Sequence, residues 1–583
     1  MTLSSNQRTA LLFLGAILLV MVTRWPLMPA HLYSFDSVNL ALALDDFDPT
    51  KNQPQPPGYP LFVLEAKLFH LLLGTPERTF AFLSILICGL SLGVVYLLGK
   101  QMFSAWVGLT AAALLFVNPP FWFSGLTSPL RPHLALFSLL VAYYCWQATR
   151  GKPKQFYEAS VALGLAGGFR PELCIVLLPL WAWTAWQVRQ ERVIFRGLLL
   201  LVGTTLMWVG GLVIASGGLT RTFEFFYQYV TTQTEQTSAL VGGAAATWRR
   251  MAGRAIVWTG LGALPWIWSL PFGWFRRREA GDWQHHILFL SVWFFPPFLF
   301  NAVVHVADPD QTLAAIPAVC LLGGFCLVAA EQALRRKIVW LCHYPFAIVL
   351  ALFVSILLLS PHTVAKEKGF AIWIALLVGL GFLLPLSESK EVRPLVCIAL
   401  LGNTLLFFGQ FPFPQGPRDA GFRGLASVGD AFLGGRYESS YDRVHWVGLI
   451  ARLSFEDISY LKARTDRPVV LVWTRDAEPV WRKVCFYFPQ EKVYVLEESG
   501  DPAVLASQAR LWVSNKILAS DSGPAPISIG LPKRARLIWL ISGGVEQELA
   551  HVVTLKKSRV HFYTDLPPEA VPFRWGSFEF VPQ

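Results

Sequence analysis

HLYSFDSVNLALALDDFDPTKNQPQPPGYP, residues 31–60, is a polar, acidic, proline-rich stretch directly after an apolar segment, in a chain that is otherwise mostly apolar. Leu40, Leu44 and Phe47 stand at the i, i+4, i+7 spacing of one helix face, which predicts a short amphipathic helix at a membrane surface with Asp36 near its N-terminus. Backbone N–H groups and the helix dipole at that end favour an ionised carboxylate able to take up a proton. An ordinary acidic N-cap has the same signature, and a solvated turn ahead of Pro49 accounts for Asp45, Asp46 and Asp48.

The rest of the chain explains why such a loop stands out. Of 583 residues, 54% are hydrophobic and 15% charged, and the mean hydropathy is +0.46, values of the membrane class rather than of a soluble domain. The 23 Trp and 43 Phe suit interfacial and lipid-facing positions. A net charge of +11 raises the question of nucleic acid, but Lys and Arg fall in short runs between apolar segments, where topology accounts for them and no nucleic-acid partner is implied. Seven of eight cysteines lie in apolar segments and Cys485 in the C-terminal part, without a disulfide or zinc spacing. No carboxylate set suits a metal, and no cofactor is expected.

Apolar runs of spanning length fall near 9–25, 79–99, 105–124, 132–148, 157–169, 171–187, 197–216, 255–274, 285–304, 312–330, 338–359, 369–386 and 394–411, thirteen in all. The first reads as an uncleaved signal anchor, since no small-residue cleavage site precedes Arg24. Gly167-Gly168-Phe169-Arg170-Pro171-Glu172 breaks an apolar stretch too long for one span. With the N-terminus inside, the basic loops around Arg150, Arg192, Arg277, Arg336 and Lys390 all lie inside. The loops at 26–78, 125–131, 217–254, 301–311 and 360–368, and everything after the last span, then lie outside. No repeat relates the two halves of the apolar region.

Gly, Pro and charge rise from residue 412, which reads as a linker. After a helical stretch at 441–464 come β-type runs at 468–474, 483–489, 492–497, 509–514, 535–541 and 552–563, with helix-length stretches at 502–508 and 544–551. The expectation is a polytopic α-helical membrane domain, 1–411, followed by a small soluble α/β domain, 412–583.

This layout of apolar span, juxtamembrane Asp36 helix, Pro56-Pro57-Gly58-Tyr59-Pro60, second amphipathic stretch Leu61 to Leu73 and a long run of spans resembles the GT-C integral-membrane glycosyltransferases. It is similar in particular to the protein O-mannosyltransferases and the lipid A aminoarabinose transferases, whose thirteen spans and outer C-terminal part agree with the count above. The resemblance implies a catalytic acidic residue in the first outer loop, at Asp36. It implies a donor-phosphate-binding cation at Arg170, where the family has a basic residue between its fifth and sixth spans. An interfacial Arg, or a pair with Glu172, is the plain alternative. Arg131 and His133 stand where several family members have an acid, and are assigned to donor phosphate and substrate. Tyr59 of the proline turn, with His305 and Gln311 of an outer loop, is assigned to substrate binding. The family's His-Pro-Pro or Lys-Pro is absent, Gln55 standing ahead of Pro56-Pro57.

Transfer from a polyprenyl-phosphate-linked sugar needs a base for the acceptor and a cation for the departing phosphate, both on one face. The expected activity is that of such a glycosyltransferase at the outer face of a bacterial inner membrane, with lipid, glycan or protein as acceptor. The alternative is a transporter or lipid flippase of envelope precursors. Transporters usually carry repeats and mid-membrane ionisable groups, whereas the polar candidates here gather toward one face.

Overall fold

The computed structural model describes residues 4–238, 248–277, 282–342, 394–409, 428–474, 477–497, 509–513, 516–521 and 526–583. Its contacts divide the chain into one unit of residues 1–28 and 39–444 and another of residues 29–38 and 445–583.

The first unit is helical. Its elements run α1 (Ser5–Arg24), α2 (Phe35–Asp45, whose first residues belong to the other unit), α3 (Pro60–Leu73), α4 (Pro76–Met102), α5 (Ala105–Phe116), α6 (Pro119–Thr127), α7 (Pro132–Thr149) and α8 (Gln155–Phe169). They continue with α9 (Pro171–Val188), α10 (Glu191–Ala215), α11 (Leu219–Thr237), α12 (Trp248–Gly260), α13 (Leu270–Arg276), α14 (Trp283–Val303) and α15 (Ile316–Cys342). The unit also contains helices Pro394–Phe408 and Val428–Glu438.

Among the described residues five helices are long and apolar enough to cross a membrane: Gln7–Leu27, Pro76–Met102, Glu191–Ala215, Trp283–Val304 and Ile316–Leu334. Two bent pairs bring the number to seven. The expected straight spans at 105–124 and 255–274 are these pairs, bent by 56° between α5 and α6 and by 73° between Arg250–Ala263 and Ile267–Arg276. At the first bend, Pro119 opens α6 without an N–H to give back to α5, and the Asn118 side chain caps Phe121 N instead. The freed carbonyl of Phe116 accepts from Nη2 of the buried Arg24 at 2.8 Å, a helix end satisfied by a side chain from the first span. Conversely, the basic break expected between 312–330 and 338–359 is not a break, because the backbone of α15 is helical from Ile316 to Cys342. The rest of the 338–359 span, all of 369–386, the loop at 360–368 and the helix-length stretch at 502–508 lie outside the described residues.

Large apolar side chains point outward, with Leu71 83%, Leu72 80% and Ile214 83% exposed. On α3 the outward set Leu64, Leu68, Leu71 and Leu72 follows i, i+4, i+7, i+8, while Phe62, Val63 and Ala66 turn inward. Such a stripe suits lipid rather than water. Helix α2 differs from the surface helix expected of it, since Leu40, Ala41, Ala43 and Leu44 are all buried.

Among the described residues of the second unit, seven strands form one sheet in the order β4-β3-β2-β1-β6-β8-β7 and three form another, β5-β10-β9. The strands are β1 (Val469–Thr474), β2 (Lys492–Glu497), β3 (Ala509–Val513), β4 (Lys516–Asp521), β5 (Ile527–Leu531), β6 (Arg536–Leu540), β7 (Lys556–Lys557), β8 (Phe562–Asp565), β9 (Phe573–Trp575) and β10 (Phe578–Pro582). Strand β1 pairs in parallel with both β2 and β6. Its Val470 and Val472 enter one core with Trp539 and Phe580, and its Leu471 and Trp473 enter the other with Phe455 and Trp481. Burial on both faces explains its unbroken apolar run. The β-type run expected at 483–489 is instead the end of a helix, Trp481–Tyr487. Trp481, Val484 and Cys485 stand at i, i+3, i+4 and enter the second core together, a helical period that the aromatic content of the run obscures.

That helix carries Lys483, which is fully buried and makes no ion pair among the described residues. Its ammonium lies 5.8 Å from the centre of the Tyr33 ring. Burial, only partly offset by Glu478, pushes its pKa from 10.5 down to about 8. Between those values the unfolded chain holds a proton that the folded chain does not, so stability rises with pH across this window. The thermal midpoint of the intact protein should climb from pH 8 to pH 10, and Lys483→Met should flatten the climb. An unchanged slope in the variant would assign the effect elsewhere.

Candidate functional site

The site in the first unit is built where α8 stops. Gly167 and Gly168 lie so close to Trp208 that an added Cβ would stand 2.8 and 2.9 Å from its ring, and the indole N–H donates to Gly164 O at 2.9 Å. Pro171 forces the preceding residue out of the helical region, so Arg170 is extended, φ −150° and ψ 103°, between α8 and α9. Its side chain is thereby released from both helices.

Arg170 is buried, with Nε donating to Glu172 Oε1 at 2.5 Å and Nη2 ion-paired to the same oxygen. Nη1 donates to the Tyr59 hydroxyl at 3.2 Å, and the guanidinium lies 5.1 Å from the centre of the Tyr59 ring. Burial works against the charge, yet Glu172 and Tyr59 hold the Arg170 pKa above its ordinary value. Tyr59 reaches this position from a left-handed backbone, φ 43°, directly after Gly58 at φ 101°. For a bulky residue that conformation costs about 1–3 kcal/mol and recurs at ligand sites. Burial pushes its phenol pKa up.

Arg170 and Glu172 form part of the wall of a pocket, with Asn301, His305 and Gln311 as its other polar groups and Leu134, Leu173, Val176, Pro297, Phe300 and Ala314 as its apolar ones. A mostly apolar wall with a few convergent polar groups is the usual form of a ligand site. Gln311 Nε2 donates to His305 Nε2 at 3.1 Å, and Gln311 Oε1 accepts from Ala307 N at 2.5 Å. Burial, with Arg131 and then Arg170 adding to it, lowers the His305 pKa to about 4. The ring is therefore neutral, with Nε2 as acceptor.

Arg131 and His133 do not line the cavity. Arg131 Nε stands 3.6 Å from Asp310 Oδ1, and burial raises the Asp310 carboxyl to about 6 against the pull of Arg131. His133 Nε2 is 2.9 Å from Glu65 Oε2 and Nδ1 is 3.1 Å from Leu130 O, while the ring stacks on Phe169 at 4.7 Å. These contacts hold α3, α7 and the Arg170 turn together. Glu65 and Asn301 escaped the sequence reading; the one signal for Glu65 is a single acid within the apolar run of α3. Asp46 and Asp48 face Lys51 at 3.0 and 3.1 Å, the solvated turn expected of them.

Asp36 belongs to the second unit. It lies in the first turn of α2, half-buried. Ser34 Oγ accepts from Ser37 N at 3.1 Å, so Ser34 caps the start of α2. Among the described residues no group of three or more His, Cys, Asp or Glu side chains is arranged to hold a metal ion.

Residues 54–216 match the model of a family described as dolichyl-phosphate-mannose-protein mannosyltransferase. The matched segment includes Tyr59, Arg131, His133 and Arg170, and leaves out Asp36, His305 and Gln311. Among curated proteins there is no match. The chain is similar in structure to ArnT from Cupriavidus metallidurans bound to undecaprenyl phosphate, with a TM-score of 0.57 at 14% identity over 96% of this chain and 98% of that one. Against the apo state of ArnT the TM-score is 0.53 at 14% identity, over 97% and 99%. At that identity what is shared is the fold, that of the GT-C glycosyltransferases.

Proposed function

We propose that the protein is a membrane glycosyltransferase that moves a sugar from a polyprenyl-phosphate carrier to an acceptor at the outer face of a bacterial inner membrane. The observation that carries the reading is the buried Arg170, which donates to the Tyr59 hydroxyl and lines a mostly apolar pocket with Asn301, His305 and Gln311. The mannosyltransferase family match across this segment and the undecaprenyl phosphate in the ArnT relative point the same way.

In this reading the donor phosphate takes the fork of Arg170 now filled by Glu172, and the Tyr59 hydroxyl donates to a second phosphate oxygen. Neutral His305 and the amide of Gln311 meet the sugar hydroxyls. The bond from the anomeric carbon to the phosphate oxygen breaks as the acceptor oxygen or nitrogen bonds to that carbon. The acceptor's proton passes to Asp36, and the carrier leaves as polyprenyl phosphate. Positive charge at the leaving oxygen and a base at the nucleophile are what this displacement requires.

Purified protein given a short-chain polyprenyl-phosphate sugar and a panel of membrane-derived acceptors should release polyprenyl phosphate only when an acceptor is present. Reporters fused after Gln583 should read as outside, and at 152, 277 and 336 as inside. A reporter after Gln583 that reads inside overturns the outer-face assignment, and a failure to consume any such donor overturns the activity.

A further inference from the structure

We infer that the C-terminal domain positions the catalytic base: the core of residues 445–583 contains the segment that carries Asp36 and sets its place through the helix Trp481–Tyr487. The inference rests on the role proposed above for Asp36.

Ten residues from the N-terminal part of the chain, 29–38, belong to the same compact unit as 445–583. His31 enters edge-on between Phe455 and Tyr487, both ring centres at 4.9 Å. Leu32 N donates to the Tyr487 hydroxyl at 2.9 Å. Phe35 packs edge-on against Trp481 at 5.7 Å, with the guanidinium of Arg482 5.8 Å from its centre, and Tyr33 faces Lys483. Four of the five residues before Asp36 are thus held by side chains of the C-terminal domain, all four of them by one short helix.

These contacts include a directional hydrogen bond from the backbone of the segment. An apolar anchor alone permits sliding; a backbone N–H bound to a side-chain hydroxyl fixes register as well. Phe35 is joined to Asp36 by one peptide unit, so a shift of the segment is passed to the carboxylate almost undiminished. Misplacing a reacting group by about 1 Å can cost on the order of a hundredfold in rate. A domain without a recognisable catalytic motif thereby acquires a part in the reaction, that of holding its base.

The test uses the intact protein and separates positioning from stability. Tyr487→Phe and His31→Ala should each lower kcat about tenfold while leaving the donor KM within a factor of two, and His31→Phe, which keeps the edge contacts, should restore most of it. In Tyr487→Phe, amide hydrogen exchange across 29–38 should quicken. Phe580→Ala, in the other core of the same domain, should lower the thermal midpoint yet leave kcat of the folded protein unchanged. Normal kcat in both Tyr487→Phe and His31→Ala overturns the inference, as does an equal loss in Phe580→Ala, which would reduce the effect to general instability. If instead Asp36→Asn keeps its turnover, it is the base assignment that fails, and the exchange measurement still reports whether the segment is held.

Discussion

Asp36→Asn should insert, fold and bind donor as the parent protein does, while losing transfer by about two to four orders of magnitude, the range typical of removing a general base. The substitution keeps side-chain size and, with Ser34 serving as the cap, leaves the start of α2 intact. What it removes is the carboxylate proposed to receive the acceptor's proton. Asp46→Asn and Asp48→Asn provide the contrast: their partner is the exposed Lys51, and exposed pairs of this kind contribute between zero and about 1 kcal/mol. Product formation from a polyprenyl-phosphate sugar, followed over time, decides the matter. Near-normal turnover in Asp36→Asn removes the base assignment and leaves the proposed enzyme without its central residue.

Arg170→Ala should show a second large effect with two separable parts. Affinity for polyprenyl phosphate should fall ten- to a hundredfold, because a charge-assisted, two-pronged contact is lost. Stability should fall as well, because the part-buried Glu172 loses its cation. The double variant Arg170→Ala with Glu172→Gln should recover the stability and not the affinity. Arg170→Lys should keep part of the binding, as a point charge without the fork. Thermal midpoints with and without the lipid phosphate read both quantities. Unchanged lipid affinity in Arg170→Ala reduces the residue to an interfacial anchor paired with Glu172.

Much of this fold was legible in the sequence because its strongest signals are local. Apolar length identifies spans, a Gly-Gly pair followed by Arg-Pro marks a break, and the acidic turn at 45–48 is explained by its own neighbours. Arg170, His305 and Gln311 were found for the same reason, as polar residues at the ends of apolar runs, and the fold brings them to one cavity. What escaped depends on long-range packing. Nothing within positions 105–127 shows that Arg24 from another helix will accept the duty of closing a broken span. Lys483 and Phe486 made 483–489 read as a strand because burial of a cation cannot be inferred from its neighbours in sequence. The pairing of His133 with Glu65, 68 residues away, is likewise invisible in the sequence. The assignment of 29–38 to the C-terminal unit joins residues more than four hundred positions apart.

The short reach between Arg170 and Glu172 also bears on how fast such an enzyme can let go. A carboxylate two residues from the guanidinium is a tethered competitor, present at an effective concentration on the millimolar scale or above. In the proposed reaction a lipid phosphate displaces it on arrival and is displaced by it on departure. Donor and spent carrier pay the same discount in affinity, so selectivity between them is untouched while the residence of the product shortens. On a membrane, where the carrier lipid is confined to two dimensions and therefore concentrated, weak binding is no handicap, and rapid exchange of carriers becomes the gain. Glu172→Gln should accordingly bind polyprenyl phosphate more tightly and turn over more slowly, with release as the limiting step.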